Sequence, residues 1–149
     1  MKIFILFICI FFLKAEIYSQ SFEKIKNSDT VYVYFKLSKD QIHLNTKIIK
    51  SKKIKLRDEY FFTFKNSFPL TFIHDYLSPE EIKKSKSFLK KNKDIIVTYD
   101  FITKYNLAEA TDLIGHKKKV YLIDDDDIGW FSIKLKEVKV MGVFYPSIE

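Results

Sequence analysis

The 149-residue chain has a formal net charge of +7, is 47% hydrophobic and 17% aromatic, and contains three glycines and one cysteine. Gly115, Gly129 and Gly142 stand far apart, so no glycine-rich loop cradles a phosphate and a P-loop or Rossmann nucleotide site is excluded. Cys9 alone permits no internal disulfide and no cysteine-ligated zinc, and the basic excess is almost wholly lysine, with Arg57 the sole arginine. Arginine's planar fork is the usual reader of phosphates and base edges, so specific nucleic-acid recognition is not expected.

At the N-terminus, Met1-Lys2 precedes eleven apolar residues from Ile3 to Leu13, and the run stops at Lys14. Eleven residues match the core of a signal peptide, whereas a spanning helix needs about 20. Cleavage after Ser19 leaves Ile17 and Ser19 in the two inspected positions. The expected organisation is a signal peptide over 1–19 and a single exported domain over 20–149, secreted or periplasmic, with no permanent membrane span. Cys9 leaves with the signal, which removes thiol catalysis as well. Loss of Lys2, Lys14 and Glu16 lowers the net charge to +6.

Beyond the signal, residues 30–37 alternate Val31, Val33, Phe35 and Leu37 against Tyr32, Tyr34 and Lys36, the period of a strand with one buried face. Residues 38–41 read as a turn. Ile42, Leu44, Thr46 and Ile48 continue the alternation, and after a lysine-rich break at 50–53 a β-rich run extends from Ile54 to Phe64. An antiparallel meander is expected here. Ser78, Pro79 and Glu81 then provide a cap, a first-turn proline and a capping box, with Leu77 and Ile82 as a hydrophobic staple. The pattern predicts a helix carrying Ile82, Ser85, Phe88 and Leu89 on one face and lysines elsewhere. A short strand over Ile95–Tyr99, a second helix capped by Asn106 and ending at Gly115, and a strand over Val120–Ile123 come next. Their spacing suits a parallel crossover, which makes the sheet mixed. After the acidic turn at 124–127, Phe131, Ile133 and Leu135 alternate before the phase slips to Val138 and Val140, predicting a bulge near Lys136 or Glu137. The expected fold is a single α+β domain, a mostly antiparallel, mixed β-sheet with two helices packed on one face.

Candidate chemistry is sparse. Asp124, Asp125, Asp126 and Asp127 repel one another unless solvated or bound to a cation such as calcium, yet Ile128 stands where a helix-flanked calcium loop needs its fifth ligand. His43, His74 and His116 form no paired-ligand spacing, so a zinc site is unsupported. His74 and Asp75, near Ser78, are the weak catalytic candidates, in a stretch too short to give a nucleophile, base and orienter their geometry. Tyr32 and Tyr34 beside Lys36 suit either a stacking platform or a packed sheet face. No cofactor is implied.

The short lysine- and phenylalanine-rich signal ending in Ser19-Gln20, ahead of a domain of this size, resembles that of small exported proteins of Gram-negative bacteria. The likeness covers signal and composition alone and carries no functional residue. The leading expectation is a non-catalytic binding or envelope-accessory domain whose partner is an envelope protein or an anionic polymer. The alternatives are a small hydrolase using His74 and loop carboxylates, and a polyanion-binding module using residues 83–93. Mass spectrometry of exported material is expected to find Gln20 at the N-terminus; a chain beginning at Met1 would replace the secreted domain with an anchored one.

Overall fold

The computed structural model describes residues 21–50, 53–75, 81–117 and 119–141. In chain order its elements are α1 (Phe22–Asn27), β1 (Thr30–Phe35), β2 (Gln41–Lys50), β3 (Lys53–Phe62), β4 (Leu70–Asp75), β5 (Glu81–Ser85), α2 (Ser87–Lys91), β6 (Ile96–Val97), α3 (Tyr99–Lys104), α4 (Leu107–Gly115), β7 (Lys119–Asp124), β8 (Ser132–Glu137) and β9 (Lys139–Met141). They build one α+β fold from two sheets, a mixed one of order β5-β8-β7-β1-β6 and an antiparallel one of order β2-β3-β4-β9.

Strand β1 is rich in β-branched and aromatic residues and carries no charge, which suits a position buried on both faces. Parallel neighbours β6 and β7 flank it on either side. Val31, Val33 and Phe35 join Val120 and Leu122 on the face that meets the second sheet, where Tyr60, Phe62, Leu70 and Phe72 pack against them. Helices α3 and α4 add Phe101, Ile102, Ala110 and Ile114 to the same core. On the opposite face, Tyr32 and Tyr34 pack with Tyr121, Ile123, Ile133 and Leu135, beneath Phe88 and Leu89 of α2.

Several expectations are corrected. There are two sheets rather than one, and four helices among the described residues rather than two on one face. The meander comprises β2, β3 and β4, while β1 pairs in the other sheet. Strands β6 and β7 are parallel, as a crossover requires, but β1 lies between them. Tyr99 opens α3, capped by Thr98, instead of closing a strand. The Asn106 cap is present: its side chain accepts from the Ala108 N–H and α4 ends at Gly115.

The largest departure falls at Glu81–Ser85, expected as helix and found as an edge strand paired with β8. Residues 76–80, which hold most of the capping signal, lie outside the described residues. A helix through Glu81–Ser85 would bring Lys83 beside Lys86, a spacing at which like charges are destabilising. In the edge strand that forms instead, Lys83 and Lys84 are exposed, while Ile82 faces Leu135 and packs on the core. Helix remains only at Ser87–Lys91.

Strand β2 is turned over relative to its apolar pattern. His43 pairs with Tyr60 on the core side, and Ile42 and Leu44 are exposed. Its face is set by β3, whose buried Tyr60 and Phe62 fix the register. The expected bulge is not found either: Val138 N donates to Val120 O, and Glu137 and Lys136 face Tyr121 and Leu122 in unbroken register. The phase slip instead marks where the chain leaves the mixed sheet at Glu137 and joins the antiparallel sheet at Lys139.

Phe62 is fully buried between Phe35, Phe72 and Tyr99. Phe62→Ala is expected to lower the unfolding free energy by about 3–5 kcal/mol in urea titration, and Phe68→Ala, exposed beside Pro69, by less than about 0.5 kcal/mol.

Candidate functional site

Four consecutive carboxylates, beginning at Asp124 at the end of β7, would repel one another in isolation. The chain separates them by winding Asp125–Asp127 into a single 3-10 turn. Asp124 is buried and accepts from the Asp126 N–H at 3.2 Å. Asp125 accepts from the Tyr34 hydroxyl. Asp127 forms an ion pair with Lys136 at 2.8 Å and stands 3.8 Å from Lys134. Asp126 faces solvent. The expected solvated turn is thus tied into the body of the protein by a tyrosine and two lysines. Among the described residues, no group of three or more histidine, cysteine or acidic side chains lies close enough to hold a metal ion.

Lys136 lies in the seam between the sheets, with only 9% of its surface exposed. Its Nζ donates to the hydroxyl of fully buried Tyr60 at 2.8 Å, which joins β8 to β3 of the other sheet. Around this contact, His43 stacks on the Tyr60 ring at 4.4 Å, and its Nε2 lies 3.2 Å from Asp58. Burial pulls the Lys136 pKa down, but the hydrogen bonds to Asp127 and Tyr60 more than reverse this and leave it raised. Burial pushes the Tyr60 phenol up, partly offset by Lys136. Burial also raises Asp124, against the Asp126 N–H and the Lys136 charge. A protonated ammonium whose lone pair is occupied is neither a nucleophile nor a base at neutral pH, so this cluster fastens the sheets together.

The catalytic candidates do not form a pair. His74 and Asp75 are consecutive on β4 and therefore face opposite ways. His74 turns inward, where Nδ1 donates to Glu137 O at 2.7 Å and Nε2 lies 3.7 Å from Glu81. Asp75 lies on the other face of the strand, where it is also buried, with Arg57 at 3.5 Å. Ser78 lies outside the described residues. Among the described residues, His74 is linked to the acidic turn by a relay: Glu81 stands 3.6 Å from Lys134, which reaches Asp127. His116 caps the end of α4 and pairs with Asp112 at 2.8 Å in the open. The tyrosine platform is closed off, since Tyr32 meets Phe88 edge-on at 4.9 Å and stacks on Tyr121 at 5.9 Å.

Sequence reasoning placed Phe131 inside a strand, whereas β8 begins at Ser132 and Trp130-Phe131 form the tip of the β7–β8 hairpin. Trp130 is 89% and Phe131 88% exposed. The tip is closed by Gly129 N donating to Ser132 O at 2.8 Å, and a Cβ at position 129 would stand 3.3 Å from that same oxygen. Lys86 N donates to Phe131 O at 3.0 Å, tying the tip to the end of β5. An aromatic pair directly after Asp-Ile-Gly was the available signal, since a turn is an unusual place for two large apolar side chains.

Comparison with protein-family models, curated proteins and solved structures found no match to this chain.

Tyr60, held neutral by burial, and Lys136, held charged by its partners, both keep their protons in the folded state at pH values where the unfolded groups, near about 10 and 10.4, release theirs. Their contribution to stability is complete below about pH 10 and is lost as pH rises toward the raised folded-state values. Tyr60→Phe is expected to flatten the alkaline fall in stability by about one proton, roughly 1.4 kcal/mol per pH unit, and to cost about 1–3 kcal/mol at neutral pH. Denaturant titrations across pH 8–12 would check this; an unchanged slope would mean that Tyr60 titrates as an exposed phenol.

Proposed function

We propose that this chain is a non-catalytic binding domain, exported after removal of residues 1–19, that serves an envelope or extracellular assembly through the Trp130-Phe131 tip. The observation that carries the reading is the adjacent exposure of these two aromatics on a turn held by backbone hydrogen bonds. Between the sheets the fold packs aromatic rings closely: Phe35, Tyr60, Phe62 and Phe72 are all buried, and Phe68 is exposed singly. Two neighbouring large apolar side chains left in water carry a solvation penalty that packing does not recover, and such a patch marks a contact surface. The occupied Lys136 and the opposed His74 and Asp75 weigh against the hydrolase alternative.

A photoreactive aromatic residue in place of Trp130 is expected to form adducts in cells, whereas the same group at Asn66, in the β3–β4 turn, is not. Equal labelling at the two positions, or none at 130, would refute the tip as a contact surface.

A further inference from the structure

We infer that the Trp130-Phe131 tip seats on an anionic lipid surface, with Lys83, Lys84 and Lys86 meeting the lipid charge. The inference rests on reading the tip as a contact surface and names what it contacts. Strand β5 lies directly against the tip-bearing strand: Lys83 is opposite Lys134, Lys84 opposite Ile133, and Lys86 bonds the Phe131 carbonyl. From Ile82 to Lys93 the chain has six lysines and no acid. Lys83, Lys84 and Lys86 are exposed and make no ion pair among the described residues. The nearby acids are largely committed: Asp124 is buried, Asp125 holds Tyr34, Asp127 holds Lys136 and Glu81 at the start of β5 stands 3.6 Å from Lys134, leaving Asp126 facing solvent. An apolar pair projecting beside a lysine-lined strand complements a surface that is apolar within and negative at its face.

Size and shape favour lipid over a protein partner. Trp and Phe offer about 150–250 Å² each, so the pair supplies at most about 500 Å². A specific protein interface needs about 800 Å² per partner. Lipid sets no such threshold, because Trp partitions into the headgroup region and each nearby lysine strengthens binding to anionic membranes by about fivefold.

Trp130 is the only tryptophan, so emission at its wavelength reports on the tip alone. With the full chain and vesicles of mixed phosphatidylglycerol and phosphatidylcholine, emission is expected to shift to the blue and to be quenched by brominated acyl chains. Vesicles of phosphatidylcholine alone are expected to give neither effect. Lys83→Gln/Lys84→Gln/Lys86→Gln should weaken partitioning on the order of 100-fold. Phe131→Ser should weaken it about tenfold with an unchanged melting temperature, since the side chain is exposed. Co-sedimentation with unshifted, unquenched Trp130 emission would mean that another segment holds the vesicle, and would overturn the proposal. So would equal shifts on neutral and anionic vesicles. A protein adduct at position 130 combined with unshifted emission on vesicles would retain the contact surface and remove lipid as its occupant.

Discussion

Between Leu135 and Lys139 the chain passes from one sheet to the other, and in doing so it carries the ammonium of Lys136 into the seam between them. Taking an ammonium out of water costs several kcal/mol, which only close charge and hydrogen-bond partners offset. Asp127 and Tyr60 supply them, one from the acidic turn and one from the opposite sheet. Three distant parts of the chain are therefore fixed by a single charge. Removing either partner would strand a buried polar group, so the arrangement constrains how the two sheets meet as well as adding to their cohesion. Phe35 lies edge-on to Tyr60 at 4.9 Å, so the aromatic core is built around the same ring.

The clamp also explains how four adjacent acids persist. Like charges at neighbouring positions are tolerable where each finds its own partner, and the 3-10 turn sends them in different directions. Asp125 goes to a tyrosine on β1, Asp127 to a lysine on β8, and Asp124 caps its own turn. The turn is anchored at both ends. The hairpin tip from Gly129 to Phe131 therefore starts from a fixed point and closes on Ser132 through the tight approach that glycine allows.

Legibility in the sequence tracked the strength of local signals. Strand β1 and helix α4 were readable because alternation in one and an Asn106 cap with a terminal glycine in the other agree with their tertiary setting. Residues 81–85 were misread because a capping signal argued for helix while an unpaired edge of β8 was available to strand, and pairing outweighed propensity. The reversed face of β2 depends on its partner's register, which no local pattern encodes. The candidate site was harder still. Lys136 keeps the face that alternation predicts, opposite Leu122, and is buried there because the second sheet covers that face. The phase slip was visible; its cause required the second sheet.

Among the described residues, exposed aromatics are of two kinds. Phe68 stands alone in the loop before β4, and single exposed apolar residues are ordinary on protein surfaces. Trp130 and Phe131 are adjacent, on a turn held from Gly129, from Lys86 and, through Asp127, from Lys136. A flexible loop would lose conformational freedom on docking, which weakens binding; a tip already held by its backbone has little left to lose. The buried ammonium and the exposed aromatics are thus connected. The first fixes the acidic turn against the core at a desolvation cost, and that fixed turn presents the second as a preformed surface.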